Sequence, residues 1–222
     1  MSACCDCGAI DRHFAAARAA EELATYARRG PTGTARLILS MLRGRPGPID
    51  SLLDIGAGVG VLHHELLGSG TKSAVHVEIA RAYLDAARQE ATRRGQDERV
   101  TFVQGDFLAV APSLARADLV TLDRVVCCYP ELEPLVRLSA AQARRYLALS
   151  YPLDRWYMRA HTWWQNHRRG RAGNPFRTFV HPVRRIRSLV QSVGFEIRDS
   201  RRTLAWEVLL CSRPHPGAAP LL

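Results

Sequence analysis

Three glycines interrupt the stretch SLLDIGAGVGVLHHELL at residues 51–67. Gly56, Gly58 and Gly60 follow an apolar run that predicts a buried strand, and a helical pattern resumes after them. Because they lack a Cβ atom, they allow positive φ angles and a close approach of the backbone to a ligand. Glu78 ends the next apolar run, where a carboxylate can accept hydrogen bonds from both hydroxyls of a ribose. Together they predict a site for a small ligand that carries a ribose.

The spacing of the glycines limits which ligand this is. A dinucleotide-binding loop has the pattern G-x-G-x-x-G, whereas here Gly60 comes one position early and Val61 occupies the expected place. The spacing therefore argues against NAD. A plain tight turn remains the alternative for the loop, and a helix-capping acid is the alternative for Glu78.

Two further apolar runs end in residues that can recognise or react with a ligand. VTFVQGDF ends in Gly105, Asp106 and Phe107. Asp106 can accept a hydrogen bond from an exocyclic adenine amine, and Phe107 can pack on the ring face, unless the aspartate only forms a turn. ADLVTLD ends in Asp123, with Tyr129 shortly after it. Either residue can act as a base towards an acceptor, or only orient substrate or cofactor.

Alternating strand and helix patterns explain why these residues should meet. We predict strands over 51–55, 74–78, 100–104, 119–123 and 146–151, and helices over 10–29, 34–42, 61–67, 80–94 and 133–144. This order predicts a doubly wound α/β fold with a mostly parallel sheet, whose carboxyl strand ends share one edge. After a helix over 182–193, the runs 195–200 and 204–212 are joined by a short link, which permits only an antiparallel pair.

Composition and charge set the class of protein. The chain has 222 residues, 47 % of them apolar and 23 % charged, which fits one globular domain. No stretch is long enough to span a membrane and the N-terminus lacks a secretory signal, so we expect a cytoplasmic protein without a membrane partner. The formal net charge is +10. The segment from Arg155 to Arg202 contains twelve arginines and only two acidic residues, Glu196 and Asp199. This excess of positive charge favours an anionic partner.

The ordered motifs resemble the class I S-adenosylmethionine-dependent methyltransferases over residues 51–212. LLDIGAGVG is similar to the first motif of that family, VHVE to its ribose-binding acid, QGDF to its adenine-binding element and ADLVTLD to its fourth motif. The resemblance implies a Rossmann-like sheet whose last strand inserts antiparallel. It also implies S-adenosylmethionine as cofactor and direct in-line methyl transfer.

Site residues follow from the same resemblance. The first motif would hold the methionine part of the cofactor, the acid the ribose and the third strand end the adenine. The residues expected to bind the cofactor are Asp54, Gly56, Ala57, Gly58, Gly60, Glu78, Ile79, Gly105, Asp106, Phe107 and Asp123. Asp123 and Tyr129 are the candidate catalytic residues, and no metal is expected.

The chain divides into three parts on this interpretation. Residues 1–45 form an N-terminal helical lid, residues 46–213 the cofactor-binding domain, and residues 214–222 a disordered tail. An insertion rich in arginine and tryptophan covers residues 153–181, where this family commonly builds acceptor specificity.

The acceptor is expected to be a small, aromatic or anionic molecule. LDRVVCCYP, after the fourth strand, lacks the Pro-Pro-Tyr element of enzymes that methylate nucleic-acid bases. Aromatic rings and arginines of the insertion can hold a planar anion by stacking and charge-assisted hydrogen bonds. Two alternatives remain open: an RNA methyltransferase that uses the basic last third, and a catalytically inactive cofactor-binding partner subunit.

Two further groups of residues have competing interpretations. Trp156, Ala160, Trp163, Trp164 and His167 share one helical face, and aromatics at this spacing usually belong to a core. The cysteines are either small reduced side chains or ligands for a soft metal, metalloid or thiol-dependent acceptor; those concerned are Cys4, Cys5, Cys7, Cys127 and Cys128.

Overall fold

The fold is known from a computed structural model, which describes residues 7–214. Its strands are β1 (Ser51–Ile55), β2 (Ser73–Glu78), β3 (Val100–Gln104), β4 (Ala117–Leu122), β5 (Ala143–Pro152), β6 (Glu196–Arg202) and β7 (Trp206–Ser212). The helices are α1 (Cys7–His13), α2 (Ala16–Arg29), α3 (Gly33–Leu42), α4 (Val61–Gly68), α5 (Arg81–Arg93), α6 (Phe107–Val110), α7 (Leu132–Gln142), α8 (Trp156–Arg171) and α9 (Val183–Ser192). Short 3-10 turns cover Asp97–Arg99, Ala111–Ser113 and Val126–Cys128.

The seven strands form one sheet in the order β3-β2-β1-β4-β5-β7-β6. β1 pairs in parallel with both β2 and β4, whereas β7 pairs antiparallel with both β5 and β6. Residues 203–205 are too few for a crossover, so β6 and β7 can only run in opposite directions. The predicted Rossmann-like sheet with an antiparallel last strand is confirmed.

Both faces of the sheet are covered by helices. In β1, Leu53 and Ile55 belong to one hydrophobic core and Leu52 to the other, because successive side chains of a strand point to opposite faces. The first core also takes residues from α1, α6, α7 and α9, and the second from α3 and α4. This double burial explains why the central strands are nearly continuous apolar runs.

The predicted helix over residues 10–29 is wrong in one respect, since it consists of two helices. α1 ends at His13 and α2 begins at Ala16. Phe14 lies between them, with its ring edge-on to Phe176 and Tyr83 at centroid distances of 5.5 Å each. Alanine-rich sequence carries no signal for such a break, because the contacts that favour it come from distant residues.

The boundary between α7 and β5 also differs from the prediction of a helix up to residue 144. α7 ends at Gln142, whose side-chain amide donates to the carbonyl of Ala111 over 2.7 Å. β5 begins at the next residue, because Ala143 pairs with Ala117 of β4. Pairing with an existing strand overrides the local helical preference here.

Helix α8 contradicts the expectation that the tryptophan face belongs to a core. The helix contains no buried residue over its whole length, and Trp156, Trp163 and Trp164 are all exposed. Residues 1–6 and 215–222 lie outside the described part, so the predictions for Cys4, Cys5 and most of the tail are not addressed by the structure. The lid function expected for residues 1–45 also stays a prediction.

Candidate active site

A large cavity opens at the carboxyl ends of β1, β2 and β4. Its volume is about 1170 Å³. A pocket for one drug-sized ligand measures roughly 300–1,000 Å³, so this cavity has room for two small molecules side by side. Its walls include the loop after β1, residues of α2 and α3, and the connection between β6 and β7.

The glycine loop forms one wall of this cavity. Gly56 donates its backbone N–H to the carbonyl of Val77 over 2.8 Å, which fixes the loop against the end of β2. Gly56 and Gly58 each have a φ of +58°, a left-handed conformation that costs other residues energy. A Cβ on Gly56 would also lie 2.5 Å from Cγ2 of Val125. The glycines therefore serve both the turn and the packing beneath it.

Gly60 does not line the cavity, unlike the glycines before it. Its φ is +84°, and a Cβ there would lie 2.2 Å from Cε1 of His63 and 2.8 Å from Nε2 of His64. The early third glycine thus makes room for two imidazoles under the loop. Sequence reasoning missed this role, although the unusual spacing of the loop was a signal for it.

The two imidazoles belong to a buried histidine cluster with His76 of β2. The Nδ1 atoms of His63 and His76 are 3.4 Å apart, and Nδ1 of His64 lies 2.9 Å from Oε1 of Gln96. Burial lowers the pKa of His64 to about 3 and that of His76 well below its usual value. The rings of His64 and His76 are therefore neutral at physiological pH.

Glu78 stands at the end of β2, where the sequence predicted it. Its Oε2 accepts the backbone N–H of Gly58 over 3.0 Å, and its Oε1 accepts that of Ala80 over 2.9 Å. Burial raises the pKa of this carboxyl, and the backbone hydrogen bonds oppose that shift. Each carboxylate oxygen has two lone pairs, so both can still accept a hydroxyl from a ligand.

Asp54 has two carboxylate oxygens in different environments. Its Oδ1 accepts the hydroxyl of Thr121 over 2.6 Å, while its buried Oδ2 has no hydrogen-bond partner within the described residues. Nδ1 of His63 is 3.6 Å from Oδ2, beyond hydrogen-bond distance. A buried carboxylate oxygen in this state is costly, and it lies beside the His63 ring, which does not line the cavity.

The end of β3 divides into two environments. Gly105 and Phe107 line the cavity, whereas Asp106 does not. Oδ1 of Asp106 accepts the hydroxyl of Tyr129 over 2.7 Å and caps α6 by accepting the backbone N–H of Leu108. The Tyr129 hydroxyl therefore donates to a carboxylate in this structure. The predicted contact of Asp106 with adenine, and a base role for Tyr129, stay predictions.

Asp123 follows the last residue of β4 and is held by its neighbours. The hydroxyl of Ser150 donates to Oδ1 of Asp123 over 2.6 Å and itself accepts the backbone N–H of Arg124. Burial raises the pKa of the Asp123 carboxyl, against hydrogen bonds from Ser150 and Thr34. A carboxylate with a raised pKa is a stronger base than an ordinary aspartate.

Arg124 is a lining residue that sequence reasoning missed. It is the one non-glycine residue of the described chain with a positive φ, at 62°. Its guanidinium lies over the ring of Trp206, 5.4 Å from the centroid, and both residues line the cavity. No local pattern could indicate this pair, because the two residues are more than eighty positions apart in the chain.

Two adjacent thiols lie on the same side of the site. The Sγ atoms of Cys127 and Cys128 are 4.0 Å apart, and Cys128 lines the cavity. Residues 7–214 contain no cluster of three or more histidine, cysteine or acidic side chains arranged to bind a metal. The ligand role considered for the cysteines, three of which lie at the N-terminus, therefore stays a prediction.

Most predicted site residues meet at this cavity. Those that line it are Asp54, Gly56, Ala57, Gly58, Glu78, Ile79, Gly105, Phe107, Asp123 and Tyr129. Gly60 and Asp106 lie outside the lining. None of the helices described has the length and apolar character needed to cross a membrane.

Comparison with known proteins agrees with this geometry. A family described as a methyltransferase domain matches residues 52–148. Magnesium protoporphyrin IX methyltransferase from Synechocystis PCC 6803, solved with S-adenosylhomocysteine, is 19% identical with a TM-score of 0.70, over 94% of this chain and 99% of that chain. A search of curated proteins returned no significant match.

Two other solved structures show how widely the fold is used. An O-methyltransferase family 2 protein from Planctomyces limnophilus, solved with apigenin, is 16% identical with a TM-score of 0.65, over 88% of this chain and 61% of that chain. A cyclase is 14% identical with a TM-score of 0.64, over 92% of this chain and 95% of that chain. At these identities the likeness establishes the fold alone.

Three findings indicate the same class of protein: the order of the strands, the carboxylates in the cavity wall and the match to a methyltransferase domain. Residues 52–148 match a methyltransferase domain, and this match together with the fold supports a class I S-adenosylmethionine-dependent methyltransferase, an enzyme whose cofactor is S-adenosylmethionine.

Proposed function

We propose that this enzyme methylates a planar, anionic small molecule that binds between the Arg124–Trp206 pair and helices α2 and α3. The observation that supports the proposal most strongly is the guanidinium of Arg124 over the ring of Trp206 at the cavity wall. An aromatic face and a cation at one place suit a flat acceptor with a carboxylate or phenolate.

The cofactor half of the proposal uses the residues at the first three strand ends. Asp54 and the glycine loop would hold the methionine part, Glu78 the ribose hydroxyls, and Phe107 the adenine ring. The position of these residues in the cavity wall and the spare lone-pair capacity of Glu78 support this assignment. When bound, the cofactor supplies a methyl group already activated on a sulfonium.

Asp123 is proposed as the base for a hydroxyl acceptor. Ser150 fixes one carboxylate oxygen, and burial raises the pKa of the group. A phenolic hydroxyl close to the carboxylate would be deprotonated as it is methylated, and the carboxylate would keep the proton. An acceptor that is already ionised needs only to be positioned. The Tyr129 hydroxyl donates a hydrogen bond to Asp106, which suits a structural role in the cavity wall better than the role of a base.

Structural neighbours support a small planar acceptor. One is a magnesium protoporphyrin IX methyltransferase, and two others were solved with apigenin and with 1,4-dihydroxy-2-naphthoic acid, and all three compounds are flat ring systems. Those ligands belong to the neighbours themselves. The cavity volume of about 1170 Å³ accommodates a cofactor and an acceptor of modest size together.

The proposal is tested by pairs of acceptors that differ only in a carboxylate, such as a hydroxynaphthoic acid and the matching naphthol. We expect the acid to have the higher kcat/KM. Arg124→Ala should remove that preference, a loss of about 10- to 100-fold for one charge-assisted hydrogen bond. Arg36→Ala is the matched control, because Arg36 is exposed on α3 and does not line the cavity. Equal kcat/KM values for both acceptors would contradict the anionic specificity.

The base is tested separately through the pH dependence of kcat. Asp123 must be ionised to take a proton, so activity should fall as the pH drops through its raised pKa. Asp123→Asn should lower kcat by roughly 100-fold or more and abolish this acid limb. An unchanged pH profile in the variant would exclude Asp123 as the base while leaving acceptor binding by Arg124 untouched.

A further inference from the structure

The exposed large hydrophobic side chains of the described chain all gather in one region. They are Trp156 (80% exposed), Tyr157 (40%), Trp163 (68%), Trp164 (48%) and Leu204 (90%). We call these five residues the aromatic patch. Concentrated exposure of this kind is uncommon on a soluble surface and usually marks a binding site.

The patch is continuous, because two elements contribute to it and touch. The hydroxyl of Tyr157, in the first turn of α8, donates to the carbonyl of Leu204 over 2.6 Å. Leu204 is in the connection between β6 and β7. Trp156, Trp163 and Trp164 project from one side of α8, because residues spaced by seven and eight lie within about 100° of one another around a helix.

The opposite side of α8 is held to the protein by polar contacts. The amide of Asn166 donates to the carbonyl of Thr178 over 2.8 Å, and its Oδ1 accepts the backbone N–H of Thr178 over 3.0 Å. Arg169 donates to the hydroxyl of Thr178 and lies over the ring of Phe176. Because these contacts hold the helix, the tryptophans are not needed to anchor it.

Positive charge surrounds the patch. Arg155, Arg159, Arg168 and Arg171 are exposed on or beside α8, and the helix itself contains no acidic residue. Asp154, just before it, pairs with Arg159 over 2.6 Å. The guanidinium of Arg168 lies over Trp164, 4.7 Å from the ring centroid. Such a surface suits a partner that carries negative charge and accepts aromatic side chains.

We propose that the aromatic patch adsorbs to the surface of an anionic lipid membrane. Tryptophan and arginine on one helix face are typical of segments that lie in the headgroup region, where rings enter the acyl boundary and guanidinium groups contact lipid phosphates. Leu204 favours lipid over RNA, because an aliphatic tip cannot stack on bases but gains free energy in hydrocarbon. The outward-facing rings also stand on a projecting helix, whereas single-stranded RNA is bound in grooves.

Adsorption needs no membrane-spanning helix, and the helices within residues 7–214 include none. The expectation that the protein has no membrane partner came from that absence alone, and a helix that lies on a membrane needs no spanning length. Thr203 and Trp206, on either side of the Leu204 tip, line the active-site cavity. Adsorption would therefore turn the cavity mouth towards the lipid. Access for a membrane-dissolved acceptor, unlike adsorption itself, rests on the proposed function.

The test is co-flotation of the purified full chain with vesicles of phosphatidylcholine, with and without about 30 mol % phosphatidylglycerol. We expect binding to the anionic vesicles only, weakened by added salt, together with a blue shift of tryptophan fluorescence. Arg168→Glu/Arg171→Glu should reduce binding by about 30-fold, since each arginine near the surface is worth about a fivefold change in affinity. Arg28→Glu/Arg29→Glu on α2 changes the net charge equally and should bind as the unmodified protein does.

A second variant tests the apolar contribution. Trp156→Ser/Trp163→Ser/Trp164→Ser should abolish the fluorescence shift and reduce flotation by at least about tenfold, with circular dichroism unchanged. Equal binding to neutral and anionic vesicles would overturn the proposal, as would no binding to either. Binding to single-stranded RNA that the same substitutions abolish, without vesicle binding, would identify RNA as the partner instead. None of these readouts depends on methyl transfer, so the proposed function can fail independently.

Discussion

The glycine-loop end of the cavity and helix α8 differ in almost every physical respect. Under the loop, Asp54 and the three histidines are nearly or completely buried, and a methyl group added at Gly60 would collide with two rings. Helix α8 has no buried residue and exposes three tryptophans to solvent. The packing around Gly60 leaves no space for an added atom, whereas the tryptophans of α8 are free to contact another molecule.

The difference separates two kinds of specificity. A cofactor shared across a fold class is bound by strand ends and backbone groups that the sheet itself positions. The proposed acceptor site and aromatic patch instead use elements added to that sheet: α2, α3 and the turn between β6 and β7 line the cavity, and α8 carries the exposed tryptophans. We therefore expect substitutions to have large effects in the first region and small effects on folding in the second.

Gly60→Ala should produce a large loss of stability in the glycine-loop region. It combines a left-handed φ of +84° with a Cβ 2.2 Å from His63. The strain costs about 1–2 kcal/mol, and overpacking adds about 1–3 kcal/mol. Urea unfolding measures the loss. Gly44→Ala is the control, because Gly44 has a φ of +77° and nothing within 4 Å of the added Cβ. Equal losses of unfolding free energy in both variants would mean that the rings of His63 and His64 move aside at little cost.

Glu78→Gln should weaken cofactor binding without unfolding the protein. The amide nitrogen cannot accept a hydrogen bond, so either the N–H of Gly58 or that of Ala80 loses its acceptor. A ligand hydroxyl would also lose a charged partner. We expect the affinity for S-adenosylhomocysteine, measured by calorimetry, to fall about 10- to 100-fold. Glu98→Gln, an exposed matched change, should leave the affinity unaltered. An unchanged affinity in Glu78→Gln would remove Glu78 from the cofactor site.

The histidine cluster should make the protein sensitive to acid. His64 and His76 have lowered pKa values in the folded chain, while unfolded histidine titrates near about 6.5. Below that pH the unfolded state binds more protons, so stability is full above it and is lost as the pH falls towards the folded values. The slope approaches about 1.4 kcal/mol per pH unit for each histidine. Unfolding midpoints between about pH 8 and 5 measure it, and His76→Asn should flatten the curve. An equally steep curve in that variant would assign the sensitivity to other groups.

Trp163→Ser should have the smallest effect on folding. The side chain is 68% exposed, so the free energy of unfolding should change by no more than about 0.5 kcal/mol. Phe195 is smaller than tryptophan but belongs to the buried core. Phe195→Ala should therefore lower the free energy of unfolding by about 3–5 kcal/mol. A large loss in Trp163→Ser would show that α8 is held by its aromatic face and would weaken the case for an interaction surface.

Much of the sheet and of the cofactor end could be predicted from the sequence. Apolar runs and their terminal residues are local signals, and the parallel sheet brings Asp54, Glu78 and Asp123 to one edge. Features that depend on contacts between residues distant in the chain could not be predicted from the sequence. Phe14 breaks a helix because it meets Phe176 and Tyr83, and β5 starts early because β4 is beside it.

The sequence by itself determined the order of elements, the glycine turn and the acids that follow the strands, since periodicity and backbone freedom are local properties. Only the tertiary structure decided that Gly60 makes room for His63 and His64, that Tyr129 donates to Asp106, and that Arg124 meets Trp206. It also decided that the tryptophans of α8 face solvent. The physical reason is that helical spacing gives the same pattern for a face turned to the core and a face turned outward.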